Sequence, residues 1–203
     1  ILRDAIISCR KLNLDFDTIF ANTNTSYDPD NEGRSSGKTG SDIERILAFH
    51  AIGRKDPVEY QKDWSEVLSH ALLIEAEYMD KIYREKLTEI QYQVTRNSAT
   101  ERAFSGLYDK HYESGNYLCV CCNHVLFRST GKYDSGCGWP AFHTEDVDAN
   151  ITRIEDYSHG MVRIEVKCSK CDAHLGHVFE DGPRQHGGER YCINSAALDF
   201  QEE

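Results

Sequence analysis

The sequence predicts an α+β protein, a helical N-terminal segment followed by an antiparallel β domain with a structural metal site. Three observations carry this. Apolar residues before about residue 86 recur at three- and four-residue spacing. From Tyr117 onward short β-rich runs alternate apolar and polar residues between Gly and Asp punctuation. Two C-x-x-C motifs, Cys119–Cys122 and Cys168–Cys171, fall inside that β-rich part.

The first element rests on Leu2, Ala5, Ile6 and Cys9, which share one helical face. Residues 22–40, "NTNTSYDPDNEGRSSGKTG", are polar and nearly free of apolar residues, and read as a mobile loop or linker. "SDIE" reads as a capping box, Ser41 as N-cap and Glu44 at the third helical position. The helix it opens carries Ile43, Ile46, Leu47 and Ala51 and ends at Gly53. Asp56-Pro57-Val58-Glu59 reads as a second helix start. Trp64, Val67, Leu68, Ala71, Leu72, Met79, Ile82 and Tyr83 then follow a helical period to about Lys86, a stripe that suits core packing. Strands are expected in "YLCV", "HVLF", "ITRIEDY", "MVRIEVKC", "GHVFE" and "RYCINSAALDF". The domain boundary is expected at 76/77, with an N-terminal extension over 1–76 and the β domain over 77–203.

The 203 residues carry a net charge of −11, with 28% charged and 39% apolar residues, so an anionic nucleic-acid or lipid surface is not an expected partner. No run approaches the length of a membrane span. The chain starts at Ile1, so organelle targeting stays open beside a cytoplasmic or other reducing compartment.

Seven of the eight cysteines lie between Cys119 and Cys192. Each C-x-x-C turn can present two thiolates to one ion, and two such turns supply the four soft ligands of a closed tetrahedral Zn²⁺ site. Cys121 lies inside the first turn and could replace a neighbour, while two disulfides or scattered buried thiols are the competing readings. A closed site would hold hairpins together and would not activate water.

Cys137 and Cys192 lie outside these turns. In a strand Arg190, Cys192 and Asn194 share one face, and Arg190, His174 and His177 could supply charge and protons to a reactive thiol. Cys137, flanked by Gly136 and Gly138, suits either a mobile second thiol or a quiet turn.

The runs "YLCVCCNHVLFRS", "KYDSGCGWPAF", "GMVRIEVKCSKCDAHLGHVFEDGP" and "RYCINSAALDF", with the lead-in "REKLTEIQYQVTRNSATERAFSG", closely resemble methionine-R-sulfoxide reductases of type B, in matching order from about Glu77 to Phe200. The resemblance implies a β-tent of two antiparallel sheets with one structural zinc per chain, held by Cys119, Cys122, Cys168 and Cys171. It implies reduction of the R epimer of methionine sulfoxide, mainly in proteins but with the free amino acid left open, with thioredoxin or a similar dithiol as reductant; a monomer is expected. Cys192 falls on the nucleophile and Cys137 on the resolving cysteine that many members use. Trp139 falls on the wall for the substrate methyl group and Phe179 on a second wall position. His174, His177, Asp181, Arg190 and Asn194 fall on positions that line and polarise the site. Ala141, Ala99 and Ala103 depart from common Ser, Gly and Pro, none at a catalytic position. A zinc-bound β-tent interaction module and a thiol redox sensor without turnover are the alternative functions.

Overall fold

Helical periodicity at the start of the chain and alternation later produce two separate compact units in the computed structural model, which describes residues 2–203. The units comprise residues up to Ile82 and residues Tyr83–Glu203.

The first unit contains α1 (Leu2–Lys11), α2 (Phe16–Ala21), α3 (Gly40–His50) and most of α4 (Trp64–Lys86). Its apolar residues form two small clusters. Cys9, Phe16 and Phe49 are one, and Ile46, Val67 and Ala71 the other. The Phe16 and Phe20 rings stack at 4.3 Å, and Phe49 closes on both. α2 is an element the periodicity did not signal. Asp15 caps it by accepting from the Thr18 N–H at 2.8 Å.

Three expectations change here. The N-cap of α3 is Thr39, not Ser41: the Thr39 hydroxyl accepts from the Asp42 amide and the Asp42 carboxylate accepts in return. Residues 22–40 are not a loose linker. The buried Asp42 carboxylate gathers Ser26 Oγ, Ser36 Oγ and the amides of Lys38 and Thr39, and Ser35 pairs with Tyr60 in an isolated bridge. Asp56-Pro57 starts no helix; α4 begins at Trp64. The Asp56 side chain is instead fully buried, accepting from Arg45 at 2.6 and 2.8 Å, from Tyr60 Oη at 2.7 Å and from the Val58 amide at 3.1 Å.

The second unit begins with the last turn of α4 and α5 (Glu89–Asn97), which buries Tyr92, Val94 and Thr95. The strands are β1 (Gly115–Cys119), β2 (Val125–Arg128), β3 (Lys132–Tyr133), β4 (Ala141–Phe142), β5 (Thr152–Asp156), β6 (Arg163–Lys167), β7 (His174–Phe179), β8 (Arg190–Ile193) and β9 (Leu198–Glu202). They form two antiparallel sheets, ordered β2-β1-β9 and β3-β4-β8-β7-β6-β5. Helices followed by two antiparallel sheets are the expected architecture. The core lies where Tyr117 and Phe127 of the first sheet meet Phe142 and Tyr191 of the second, with Phe127 and Phe142 stacked at 4.3 Å.

"RYCINSAALDF" is not one strand. A 3₁₀ turn over Ser195–Ala197 breaks it, and the chain leaves the six-stranded sheet as β8 and enters the three-stranded sheet as β9. Among the described residues no helix is long and apolar enough to cross a membrane.

Candidate active site and metal-binding group

The period-two alternation of β8 turns Tyr191 and Ile193 into the core and leaves Arg190 and Cys192 on the opposite face. The neighbours of β8 complete a cleft there. β7 lies antiparallel to it, placing His177 opposite Cys192 and Phe179 opposite Arg190. On the other side Ala141 of β4 pairs with Cys192, and Pro140 O accepts the Ile193 amide at 3.0 Å. Trp139 and Cys137, just before β4, are therefore delivered to the nucleophile candidate by sheet register. The cleft has a volume of about 110 Å³ and is lined by Trp139, His177, Phe179, Cys192 and Asn194, together with Thr100, Arg163 and Gly176.

Cys137 Sγ lies 3.7 Å from Cys192 Sγ. Left-handed Gly136 and Gly138, at φ 71° and 91°, fold the loop into this position. Ser135 Oγ donates to Cys137 Sγ at 3.0 Å. Burial pushes the Cys192 thiol up to about 12, the adjacent Cys137 adds to the effect, and Arg190 opposes it.

The two histidines meet through a strand irregularity. The β6–β7 register shifts between Val166 and Lys167, so one extra β7 residue is accommodated and the alternation is rephased. The His174 and His177 rings then lie 5.6 Å apart. His174 is buried behind the cleft, its Nδ1 2.5 Å from Glu165 Oε1, and burial lowers its pKa. His177 Nε2 lies 2.8 Å from Asp156 Oδ2. Asp156 also accepts from the Ser158 amide and from Arg163, and these bonds, Ser158 foremost, hold its carboxyl well below the usual carboxylate range.

Arg190 and Asp181 pair through two 2.8 Å hydrogen bonds, with the guanidinium 4.7 Å over the Phe179 ring. They line a neighbouring groove of about 380 Å³, on the Cys137 side, rather than the cleft itself. Asn194 lies past the end of β8. Its buried amide donates to Leu175 O at 3.0 Å and accepts from the Glu101 N–H at 3.0 Å.

Asp156, Glu165, Arg163, Thr100, Gly176 and Glu101 escaped the sequence reading. Gly176 carried the one available signal, a glycine inside a strand. A Cβ there would sit 2.1 Å from Cys192 O, so only glycine lets the two strands approach.

The four knuckle cysteines come together away from the cleft. Cys119, Cys122, Cys168 and Cys171 place their sulfurs within 4.8 Å of one another, with Cys119–Cys171 and Cys122–Cys168 both at 3.6 Å. A tetrahedral site with metal–sulfur bonds of about 2.3 Å requires sulfur separations of roughly 3.8 Å, so the group fits one metal ion. The two turns repeat each other. The Asn123 amide donates to Cys119 O and the Cys119 amide to His124 O; the Asp172 amide donates to Cys168 O and the Cys168 amide to Ala173 O. Asn123 and Asp172 share a left-handed φ of 58°. Cys121 lies outside the group, and its carbonyl accepts from Lys86 Nζ, as Cys171 O accepts from Arg96. Among the described residues no two cysteines are joined by a disulfide.

The model of the SelR domain matches residues 87–202. A peptide methionine sulfoxide reductase MsrB of Hahella chejuensis is 57% identical over 121 residues, covering 60% of this chain and 86% of that protein. Proteins of the same name from Burkholderia cenocepacia and Burkholderia thailandensis are 55% and 54% identical, each covering 60% of this chain and 85% of the relative. The matched stretch holds both C-x-x-C turns and every residue of the cleft. The chain belongs to the SelR-domain family, that of the MsrB peptide methionine sulfoxide reductases.

Proposed function

We propose that the chain reduces the R epimer of methionine sulfoxide in oxidised proteins to methionine. The carrying observation is the pair Cys192 and Cys137, 3.7 Å apart, with Cys192 lining a cleft walled by Trp139 and Phe179. The cleft suits the end of one side chain. Trp139 gives the methyl group an apolar wall, and Phe179 forms a second.

Cys192 sulfur attacks the sulfoxide sulfur. The oxygen takes a proton as charge builds on it, and His177 is the first candidate donor. With Nε2 engaged by Asp156, the other ring nitrogen is the one left for this role. Burial raises the Cys192 thiol pKa, so its proton leaves as the sulfur attacks and replaces the one His177 gives to the oxygen, leaving His177 unchanged overall. Collapse of the adduct releases methionine and leaves Cys192 as a sulfenic acid. Cys137 sulfur then attacks Cys192 sulfur, water leaves, and a Cys137–Cys192 disulfide forms. Thioredoxin or a similar dithiol restores both thiols by exchange and is itself oxidised. Arg190, held by Asp181, keeps positive charge beside Cys192; His174, Glu165 and Asn194 fix the strands around it.

Cys119, Cys122, Cys168 and Cys171 would hold one structural Zn²⁺, which supplies cross-linking and no open coordination position. The chain would act as a monomer in the cytoplasm or another reducing compartment. Residues 1–76 would form an appended helical segment and 77–203 the reductase.

The test offers both epimers of a methionine sulfoxide peptide with thioredoxin or dithiothreitol. The R epimer should be consumed, and Cys192→Ser should abolish this. Cys137→Ser should release one methionine per chain and then stall with thioredoxin. Unchanged R epimer, or consumption by the Cys192→Ser variant, would overturn the proposal.

A further inference from the structure

Glu101 is a residue that touches neither thiol yet joins the two walls of the cleft. It is 6% exposed. Its carboxylate accepts from the Ser195 amide at 2.5 Å and from the Ala196 amide at 2.9 Å, fastening the turn that follows β8. Its own amide donates to Asn194 Oδ1 at 3.0 Å. Its carbonyl oxygen accepts from Trp139 Nε1 at 3.2 Å. One residue thus ties the indole on one wall to the Asn194 side chain and to the backbone three and four positions beyond Cys192 on the other.

The surroundings leave this arrangement little freedom. Ser195 Oγ accepts from the Tyr108 amide at 3.1 Å, and a Cβ on Gly106 would fall 2.3 Å from Ser195 Oγ and 2.7 Å from Glu101 Oε1. Thr100, next in the chain, lines the cleft itself. Among the described residues the carboxylate's hydrogen-bond partners include no cation; burial raises its pKa, while its bonds from Ala196 and Ser195 oppose the rise. A carboxylate kept in so buried a place only to cap one turn would be an expensive cap. Linking two walls gives it a second use.

We infer that Glu101 is a positioning residue that sets the spacing between the Trp139 ring and the Cys192 sulfur, and so the size of alkyl group the cleft accepts on the sulfoxide. This rests on the reductase reading above. A cleft that discriminates a methyl from an ethyl group depends on wall spacing, since one methylene in an apolar pocket is worth roughly tenfold or more in kcat/KM.

The experiment compares kcat/KM for methionine-R-sulfoxide and ethionine-R-sulfoxide in the full chain, with dithiothreitol as reductant. The variants are Glu101→Gln, which keeps shape but places an amide N–H₂ against a backbone N–H, and Trp139→Phe, which keeps an aromatic wall without the indole N–H. Both should lower the methyl-over-ethyl ratio by about fivefold or more. In a Trp64→Phe background Trp139 is the sole tryptophan, and Glu101→Gln should make its fluorescence more accessible to acrylamide. A merely structural Glu101 would lower stability and both rates together, leaving the ratio and the quenching unchanged; that result overturns the inference. Should Glu101→Gln fail to fold, Trp139→Phe decides: a wild-type ratio in that variant overturns it equally. A wild-type chain that reduces neither sulfoxide refutes the reductase reading instead, before any ratio is compared.

Discussion

At Cys192 the structure separates position from ionisation. Sheet register fixes the sulfur opposite His177 and beside Cys137, while burial keeps its proton on, with a pKa pushed up to about 12. Deprotonation is favoured as pH rises, so alkylation of Cys192 by iodoacetamide should climb about tenfold per pH unit well past the ordinary thiol value near 8.5. Cys137→Ser removes a neighbour that raises this pKa and should speed alkylation at any given pH. Arg190→Gln removes the opposing charge and should slow it. Peptide mass spectrometry across a pH series checks all three, and a rate that levels off near pH 8.5 in the wild type would contradict the burial argument. Cys192, Cys137, His174 and His177 were legible as candidates in the residues themselves, and Trp139 through the family resemblance. Glu101 and Asp156 were not. Their roles come from partners 93 and 21 positions away, and no local spacing encodes such a contact.

Elements were legible where one signal acted alone. The alternation of β6 and the long apolar stripe of α4 came through because periodicity is a property of the segment itself. Helix starts proved harder, because several polar residues compete for one cap. "TGSDIE" offers both Thr39 and Ser41, and the buried Asp42 carboxylate decides for Thr39 by accepting its amide. Thr39→Ala should therefore cost about 1 kcal/mol of stability, with Ser41→Ala costing clearly less. Urea unfolding followed by far-ultraviolet circular dichroism measures the pair, and equal losses would restore Ser41 as the cap. Asp56 misled for a related reason. An Asp before Pro has the composition of a helix start, but its carboxylate is consumed by Arg45 and Tyr60. The break in "RYCINSAALDF" was hidden because the segment continues to read as strand on both sides of the turn. What divides it is the choice between two sheets, a tertiary fact.

On the scale of the whole molecule, the matching knuckles join elements of both sheets. Cys119 ends β1 of the three-stranded sheet, and Cys168–Cys171 lies between β6 and β7 of the six-stranded one. A metal held there, as proposed, would contribute folding free energy to the unit 83–203, so a strong chelator should lower its thermal midpoint, and Cys168→Ser should do the same without chelator. Calorimetry with parallel metal analysis reads this. A metal-free protein with an unchanged midpoint would show that the four sulfurs are not a structural metal site. The antiparallel β domain and its cysteine turns were readable from the residues because each signal is local, and the division into two sheets came with the family resemblance. The pairing of one turn with the other, and the order of the sheets, needed the structure.

The separation of the two sulfur groups also bears on the chemistry of turnover. A reaction that makes a sulfenic acid on every cycle endangers any thiol within reach, and this chain carries eight. Four of them converge on one another at the knuckles, where a bound metal would withhold them from exchange. Cys192 has Cys137 within 3.7 Å. On the proposed mechanism the fold would act as insulation, keeping the oxidising equivalent on Cys137 and Cys192, the pair an external dithiol would discharge.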